Sequence, residues 1–500
     1  MSKRKHSAAK LEPATSPLDA ALGRFRPLLS VQAFASLMEE LQQPLYPALR
    51  ANPLKCEPQP ALQDWAGRYG WQTRPVPYCP TGRQVLSAGT PISQTLEHRL
   101  GFYYIQDAAS MLPAELFDFE RLESPRVLDL AASPGGKTTH LLSRTGDHGL
   151  VIANDSSQER LTALRIVLQN WGAASSAVTH FPGEKFGAWF PETFDRVLLD
   201  APCSMQGLRA AEGHPMRSIT EREQAALAHR QAGLLESALQ AVKVGGQVVY
   251  STCTLSPEED EGVLDALLKQ YPRSFAIDDL SQRLGRPAPA LAADGERTFD
   301  PAVQNAARLW PQVFGTAGFF AARLTKLAPL ERSLSAQEPP SRSLVRAGFE
   351  PLERRLAASL LARLNDLYGW DGVSILEQYG LELWRRGAVI YLLPQAYLAQ
   401  FAAFPVQSLG LVLGEEAPDG FVPSHEWAAR FGRWLSAGIY RLPAERLPAW
   451  LRGEDIQGRP TTSLPRGSIA IVQDEEGRVL GRGKVLSGRL RNLLPRRLTG

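Results

Sequence analysis

Between about residues 96 and 328, short and almost uninterrupted apolar runs alternate with stretches whose apolar positions recur at helical spacing. The runs are VLDLAA, LVIAND, FDRVLLDAP and GGQVVYSTC; between them lie HLL, ERLTALRIVLQNWG and EREQAALAHRQAGLLESALQAV. Strands that are apolar along their whole length must be covered on both faces, so the pattern predicts an α/β fold with a parallel sheet wrapped by helices. Ahead of it, residues 20–95 hold a helical pattern (Phe34, Leu37, Met38, Leu41), then RANPLK and a short α/β-like stretch through TRPVPYC, enough for a small N-terminal domain. PLERSLSAQEPPSRS, in residues 329–345, reads as a linker. From 346 to 500 the pattern turns mixed and then β-leaning (GAVIYLLP, SLGLVLG, GSIAIVQDEEGRVLGRGKVL), which predicts a small barrel-like appendage.

A chain of 500 residues with 44% hydrophobic and 21% charged positions has room for several cores. No apolar run approaches the roughly 20 residues that span a bilayer, and the charged, proline-bearing start MSKRKHSAAKLEPATSP lacks the apolar stretch of a signal peptide. A cytoplasmic chain is expected. Cys56, Cys79, Cys203 and Cys253 have neither CxxC spacing nor a nearby histidine pair, which argues against a disulfide framework and against a metal site. The net charge of +3 decides nothing about a partner, but its distribution does. Arg478, Arg482, Lys484, Arg489, Arg491, Arg496 and Arg497 close the chain without one acidic residue among them, a stretch that would attract a polyanion. The competing reading is a solvated tail; interleaved Val479, Leu480, Val485, Leu486 and Leu490 favour a folded element instead. Lys3, Arg4 and Lys5 have no such apolar support and read as a disordered tail.

Chemistry concentrates where the apolar runs end. In LDLAASPGGKTTHLL a strand ends at Asp129 and Leu130, Gly135 and Gly136 permit close approach of backbone to a ligand, and a helix opens near Thr138. A phosphate-cradling GxxxxGK loop would need glycine at the position of Ala131, and the dinucleotide GxGxxG pattern is missing too. Asp155, at the end of the next strand about 20 residues on, can accept hydrogen bonds from a ribose diol, so a nucleoside-bearing cofactor is expected. Cys203 in DAPCS and Cys253 in STCT each follow an apolar run, placing two thiols at one crevice. Two such thiols suggest covalent catalysis.

DLAASPGGKTT, IANDSS, LLDAPCS and YSTCTLSPEEDE, in this order and spacing, resemble the Nop/Sun-type RNA cytosine-5 methyltransferases that use S-adenosyl-L-methionine. RANPLK, YYIQDAASMLPAELF and GTAGFFAARL are similar to further motifs of that family, while FVPSHEWA and GRGKVLSGRLRNLLPRRL resemble the PUA-related RNA-binding extension of its ribosomal-RNA branch. The resemblance implies a Rossmann-like class I methyltransferase domain between a small N-terminal α/β RNA-binding-like domain and a C-terminal α+β PUA-like extension. It implies that Cys253 adds to carbon 6 of the base, that Asp200 lies against the base, and that Cys203 assists release. Ala131, Ala132, Ser133, Pro134, Gly135, Gly136 and Lys137 would wrap the methionine part of the cofactor and Asp155 its ribose. Pro182 stands where the family has an aspartate facing the adenine amine, with Glu184 as a possible substitute. Ala131 and Ser133 replace the usual Cys and Ala, and Met205 and Gln206 replace a Gly-Glu pair over the target base.

Ribosomal RNA, of the small subunit, is the expected partner of a monomeric enzyme. Transfer RNA is the nearest alternative, and a catalytically weak assembly factor or a small-molecule methyltransferase come next. Tyr103, Tyr104 and Trp310 are candidates for stacking on neighbouring bases, against the commoner reading of buried aromatics as core.

Overall fold

The computed structural model describes residues 22–209, 219–330, 337–418, 420–458, 462 and 464–499. The expected basic tail at Lys3, Arg4 and Lys5 and residues 331–336 of the expected linker lie outside the described residues.

The alternation of apolar runs and helices builds a nine-stranded sheet. Its parallel strands are Arg126–Asp129, Leu150–Asn154, Ser176–Thr179, Phe194–Asp200 and Val242–Thr252. Numbered along the chain they lie in the order 3-2-1-4-5, and the antiparallel Phe319–Lys326 follows the fifth. Strand order reverses between the first and the fourth, the point at which α/β sheets bind ligands. Successive residues divide between two cores: Leu128, Ile152 and Val197 join one cluster with Leu234 and Leu235, whereas Val127, Val151 and Leu198 join another with Leu141, Leu164 and Leu168. That division is the period-two consequence of helices on both faces.

The N-terminal sheet runs Trp71–Val76, Cys79–Ala88, Ala48–Ala51, Tyr103–Ile105, with the helix Pro58–Tyr69 packed through Leu62 and Trp65. Its last strand lies beyond residue 95, so the sheet reaches past the boundary expected from sequence. RANPLK staples this sheet to the central one. Buried Arg50 donates to the Gly136 carbonyl (3.1 Å) and Thr139 Oγ1 (2.8 Å), Asn52 to the carbonyls of Gly101 and Trp171, and Lys55 to those of Leu100 (2.7 Å) and Asn170 (2.6 Å). Burial pushes the Lys55 ammonium down to about 7.

Residues 346–500 form two five-stranded sheets, Glu350–Pro351 to Gly420–Pro423 and Ile439–Arg441 to Arg489–Asn492. They are not tethered behind a free linker. The short strand Ser408–Leu409 pairs antiparallel with Ser176–Thr179 at the edge of the central sheet, and Leu344, Phe349, Phe401 and Phe404 enter the same apolar cluster as Leu128 and Leu150. Backbone bonds from Gln337 to Ala188 and from Arg342 to Ala403 lay the end of the expected linker against the fold. The apolar side chains of this segment gain more from burial than a polar reading of its Pro/Ser content suggests.

The basic end also departs from expectation. Arg478 pairs with Asp474, Glu476 and the fully buried Glu97, which Arg68 also reaches at 3.2 Å, so Arg478 clamps the last sheet onto the N-terminal domain. Arg482 donates to the Pro423 carbonyl, and Arg497 pairs with Glu426 at 2.6 Å. Arg478 and Arg482 are structural cations; Arg497, Arg489 (paired with Asp455 at 3.3 Å), Arg491 and Arg496 are on the surface. Removing Arg478 leaves buried Glu97 with Arg68 and the Tyr69 hydroxyl, so the loss is that of one hydrogen bond to a charged group, about 2 kcal/mol. Arg478→Ala is therefore expected to destabilise the protein in urea by about that amount and Arg491→Ala by under about 0.5 kcal/mol. Equal effects from the two would contradict the clamp.

Candidate active site

Parallel pairing sets Asp200 level with Ser251, at the ends of the fourth and fifth strands. Cys203 lies three residues beyond the one and Cys253 two beyond the other, and their sulfurs are 3.0 Å apart. Cys253 is exposed and Cys203 half-buried. The hydrogen bond with Cys203 holds the Cys253 thiol below its ordinary range, against burial and the nearby Asp200 carboxylate and with help from Lys137. That bond, then burial and the Cys253 charge, push Cys203 well up. Of the two thiols, Cys253 is the one whose surroundings favour the thiolate.

The glycine turn faces these thiols. Lys137 Nζ donates to Asp200 Oδ2 at 2.7 Å, and Ser251 Oγ to Asp200 Oδ1 at 2.9 Å. Burial opposes the charge on Lys137, but Asp200 outweighs it and holds the ammonium above its usual range. A cleft of ≈ 860 Å³ is walled by Ala131, Ala132, Ser133, Pro134, Gly136, Lys137 and Asp200, and across from them by Tyr46, Tyr104, Gln106, Asp107 and Ser110. The helix begins at Gly136 rather than Thr138. The two glycines serve different ends: Gly135, at φ 113°, lets the turn pack on Leu164 and Val167, while a Cβ at Gly136 would meet Tyr104 at 2.8 Å, at the cleft wall. Asp129, beneath the turn, accepts from Thr138 Oγ1 at 2.7 Å, and its Oδ1 is buried without a partner; burial pushes its carboxyl up to about 7.

Several expected residues fall elsewhere. Asp155 is 2% exposed and accepts from the backbone amides of Ser133 (3.0 Å) and Ser157 (2.8 Å), so in this structure it braces the turn from behind. Gly135 and Asp155 are not part of the cleft wall. Pro182 is exposed at the start of the turn Gly183–Lys185 and is not among the wall residues, and Glu184 pairs with Arg230 at 3.3 Å. Tyr103 is core, against Trp65 and Trp71, and Trp310 packs on Phe25; of the aromatic candidates Tyr104 alone lines the cleft. Among the described residues one set of side chains has metal-ligand spacing, Cys79, Glu115 and His140, but Glu115 already pairs with His140 at 2.9 Å and Arg144 at 3.2 Å.

Sequence reasoning overlooked Tyr46, Gln106, Asp107 and Ser110 as cleft residues, although QDAAS directly after an apolar strand is the kind of polar cluster that marks a site. It also overlooked the carboxylates behind the thiols: Glu259 holds Ser204, Thr252 Oγ1 donates to Asp260 at 2.6 Å, and buried Arg308 pairs with Asp260 and Glu261. The thiol hydrogen bond makes a prediction. In Cys203→Ala the pH midpoint for iodoacetamide alkylation of Cys253, followed by peptide mass spectrometry, is expected to move upward, because the donor that favours the thiolate is gone. An unchanged or lower midpoint would contradict that assignment.

Comparison with known proteins places the chain in a family. Residues 119–325 match the model described as 16S rRNA methyltransferase RsmB/F, and residues 22–108 match the N-terminal domain of 16S rRNA methyltransferase RsmF. The proteins named ribosomal RNA small subunit methyltransferase F are 34% identical in Klebsiella pneumoniae, over 93% of both chains, and 33% identical in Pectobacterium atrosepticum, over 98% of this chain and 97% of that one. Among solved structures, a methyltransferase homolog from Pyrococcus horikoshii is 29% identical with a TM-score of 0.52, covering 62% of this chain and 99% of its own. NSun6 from the same organism, 20% identical with a TM-score of 0.52 and covering 63% and 98%, shares the fold. With the Rossmann-like sheet, the paired thiols and relatives matched along nearly the full length, the chain belongs to the 16S rRNA methyltransferase RsmB/F family.

Proposed function

We propose that this chain uses S-adenosyl-L-methionine to methylate carbon 5 of a cytosine in small-subunit ribosomal RNA, through a covalent bond between Cys253 and the base. The observation that carries the reading is the 3.0 Å thiol pair beside the Lys137–Asp200 ion pair at the switch point of the sheet. The cleft suits the cofactor: at ≈ 860 Å³ it is roomy enough, and Asp107 on its wall offers an acid to a cationic ligand. That cofactor supplies an electrophilic methyl group. Ala131 to Pro134, Gly136 and Lys137 would hold its methionine part, and Asp155, which accepts from the Ser133 and Ser157 amides, has lone pairs left for the ribose hydroxyls.

Cytosine carbon 5 is a poor nucleophile until a thiolate adds at carbon 6. The sulfur of Cys253 forms that bond, the 5,6 double-bond electrons move into the ring, and Asp200 accepts from the exocyclic amine while Lys137 offsets the developing charge. After carbon 5 has taken the methyl group, Cys203, no longer bonded to a thiolate, gives its own proton to solvent and accepts the carbon-5 proton. The freed C–H electrons restore the double bond and expel Cys253 as thiolate. The base must leave any helical stack to reach the thiols, so a loop or an opened helix is the substrate form. Surface arginines of the PUA-like end, Arg489, Arg491 and Arg496, contact phosphate and position the RNA.

The relatives' name supports ribosomal over transfer RNA. The three reactive side chains in bonding arrangement count against an inactive assembly factor. No described helix is long and apolar enough to cross a membrane, and a cytoplasmic monomer is the form proposed.

Cys253→Ala is expected to abolish transfer of tritium from labelled cofactor to RNA while cofactor affinity stays within about threefold, since the thiol anchors neither ligand. Cys203→Ala is expected to add and methylate but not release, leaving an adduct with RNA that survives SDS electrophoresis and disappears in the double mutant. Near-normal turnover in Cys203→Ala, or trapping in Cys253→Ala, would overturn these roles.

A further inference from the structure

We propose that Glu259 is the positioning residue that holds Cys203 at bonding distance from Cys253; its catalytic consequence rests on the reading above. Glu259 is fully buried. Its Oε2 accepts from the Ser204 backbone amide at 2.9 Å and from Gln231 Nε2 at 3.0 Å, and its Oε1 accepts from Ser204 Oγ. Gln231 Nε2 donates as well to the Pro202 carbonyl at 2.8 Å. The residues on either side of Cys203 are thus tied to one carboxylate. Ser204 Oγ also lies 3.1 Å from Thr254 Oγ1, so the residues that follow both cysteines belong to the same network.

The loop does not hold this place by its own conformation. Met205 and Leu208 have φ of 58° and 63°, a region that side chains other than glycine adopt at a cost. What fixes it is external: the Glu259 network on one side, and on the other the backbone bonds Leu255 to Gln206 (3.2 Å) and Gly318 to Gly207 (2.7 Å). Glu259 is itself anchored, its carbonyl accepting from Tyr250 and the adjoining Asp260 and Glu261 being paired with Arg308. Among the described residues no cation pairs with Glu259. A buried carboxylate balanced only by hydrogen bonds is expensive to keep, and the arrangement it enforces is the thiol pair.

Glu259→Gln keeps the shape but turns an acceptor into a donor facing the donors of Ser204 and Gln231. Phenylarsine oxide, a trivalent arsenical that bridges two adjacent thiols, reads the sulfur separation without RNA or cofactor. Full-length wild type is expected to bind it through Cys203 and Cys253, as loss of binding in either single alanine variant would verify. Glu259→Gln should bind about tenfold more weakly, the worth of a hydrogen bond to a charged group, and shift the alkylation midpoint of Cys253 upward. Glu259→Asp should recover part of both. Should Glu259→Gln fail to fold, Ser204→Ala, which removes one of the bonds, is expected to weaken arsenical binding about threefold. Arsenical affinity and alkylation profile both as in wild type, in a folded variant, would overturn the proposal. With RNA and cofactor, Glu259→Gln should accumulate the same adduct as Cys203→Ala. Weak arsenical binding with no adduct in either variant leaves Glu259 as the positioning residue and removes Cys203 from the release step.

Discussion

Everything chemical here depends on the register of two neighbouring parallel strands. Because Asp200 and Ser251 are level, short extensions of each strand bring Cys203 and Cys253 within 3.0 Å of each other, close enough for each sulfur to affect the other's ionisation. A slip of one residue in that pairing would send both cysteines to other faces of the sheet. The register is held by backbone bonds and by two cores filled from opposite faces, so the reactive pair is a consequence of how the sheet packs.

The same packing explains why buried charge gathers around the site. Arg50 runs from the N-terminal sheet to the carbonyl of Gly136 and the helix that follows, and its guanidinium stacks on Trp171 at 4.8 Å. The N-terminal domain supplies Tyr46 and Pro47 to the cleft wall as well. The glycine turn is thus braced by a second domain, and a change in how that domain sits alters the turn directly. At the other side, Arg430 of the C-terminal region donates to the Leu54 carbonyl at 3.2 Å, lies 3.5 Å from buried Asp147, and packs among Tyr379, Phe431 and Trp434. Three units share one set of buried polar contacts.

The parallel strands were legible because a strand covered on both faces is apolar throughout, as Leu150–Asn154 is, and that pattern survives in a single sequence. The thiols were legible for a related reason: each follows such a run. What failed were readings that depend on partners distant in the chain. Asp474 and Glu476 lie close in sequence to Arg478, but its buried partner Glu97 is 381 residues away, and that pairing sets it apart from the exposed Arg491. Pro182 was placed by motif position alone, and in the structure it is the exposed residue that opens the turn Gly183–Lys185. Leu344 sits among Pro and Ser residues that suggest a tether, yet its burial is set by a core built largely from another domain. Glu259 stood in plain view within SPEEDE, but four adjoining acids cannot be told apart until their donors are known.

The central claim is that these thiols act on one chemical position of one RNA. Bisulfite sequencing of total RNA tests it most directly, in cells that carry the protein, cells that lack it, and cells in which only Cys253→Ala is supplied. The account predicts a cytosine of 16S ribosomal RNA that resists conversion in the first and converts fully in the other two. A pattern identical in all three, or protection restored by Cys253→Ala, would contradict it.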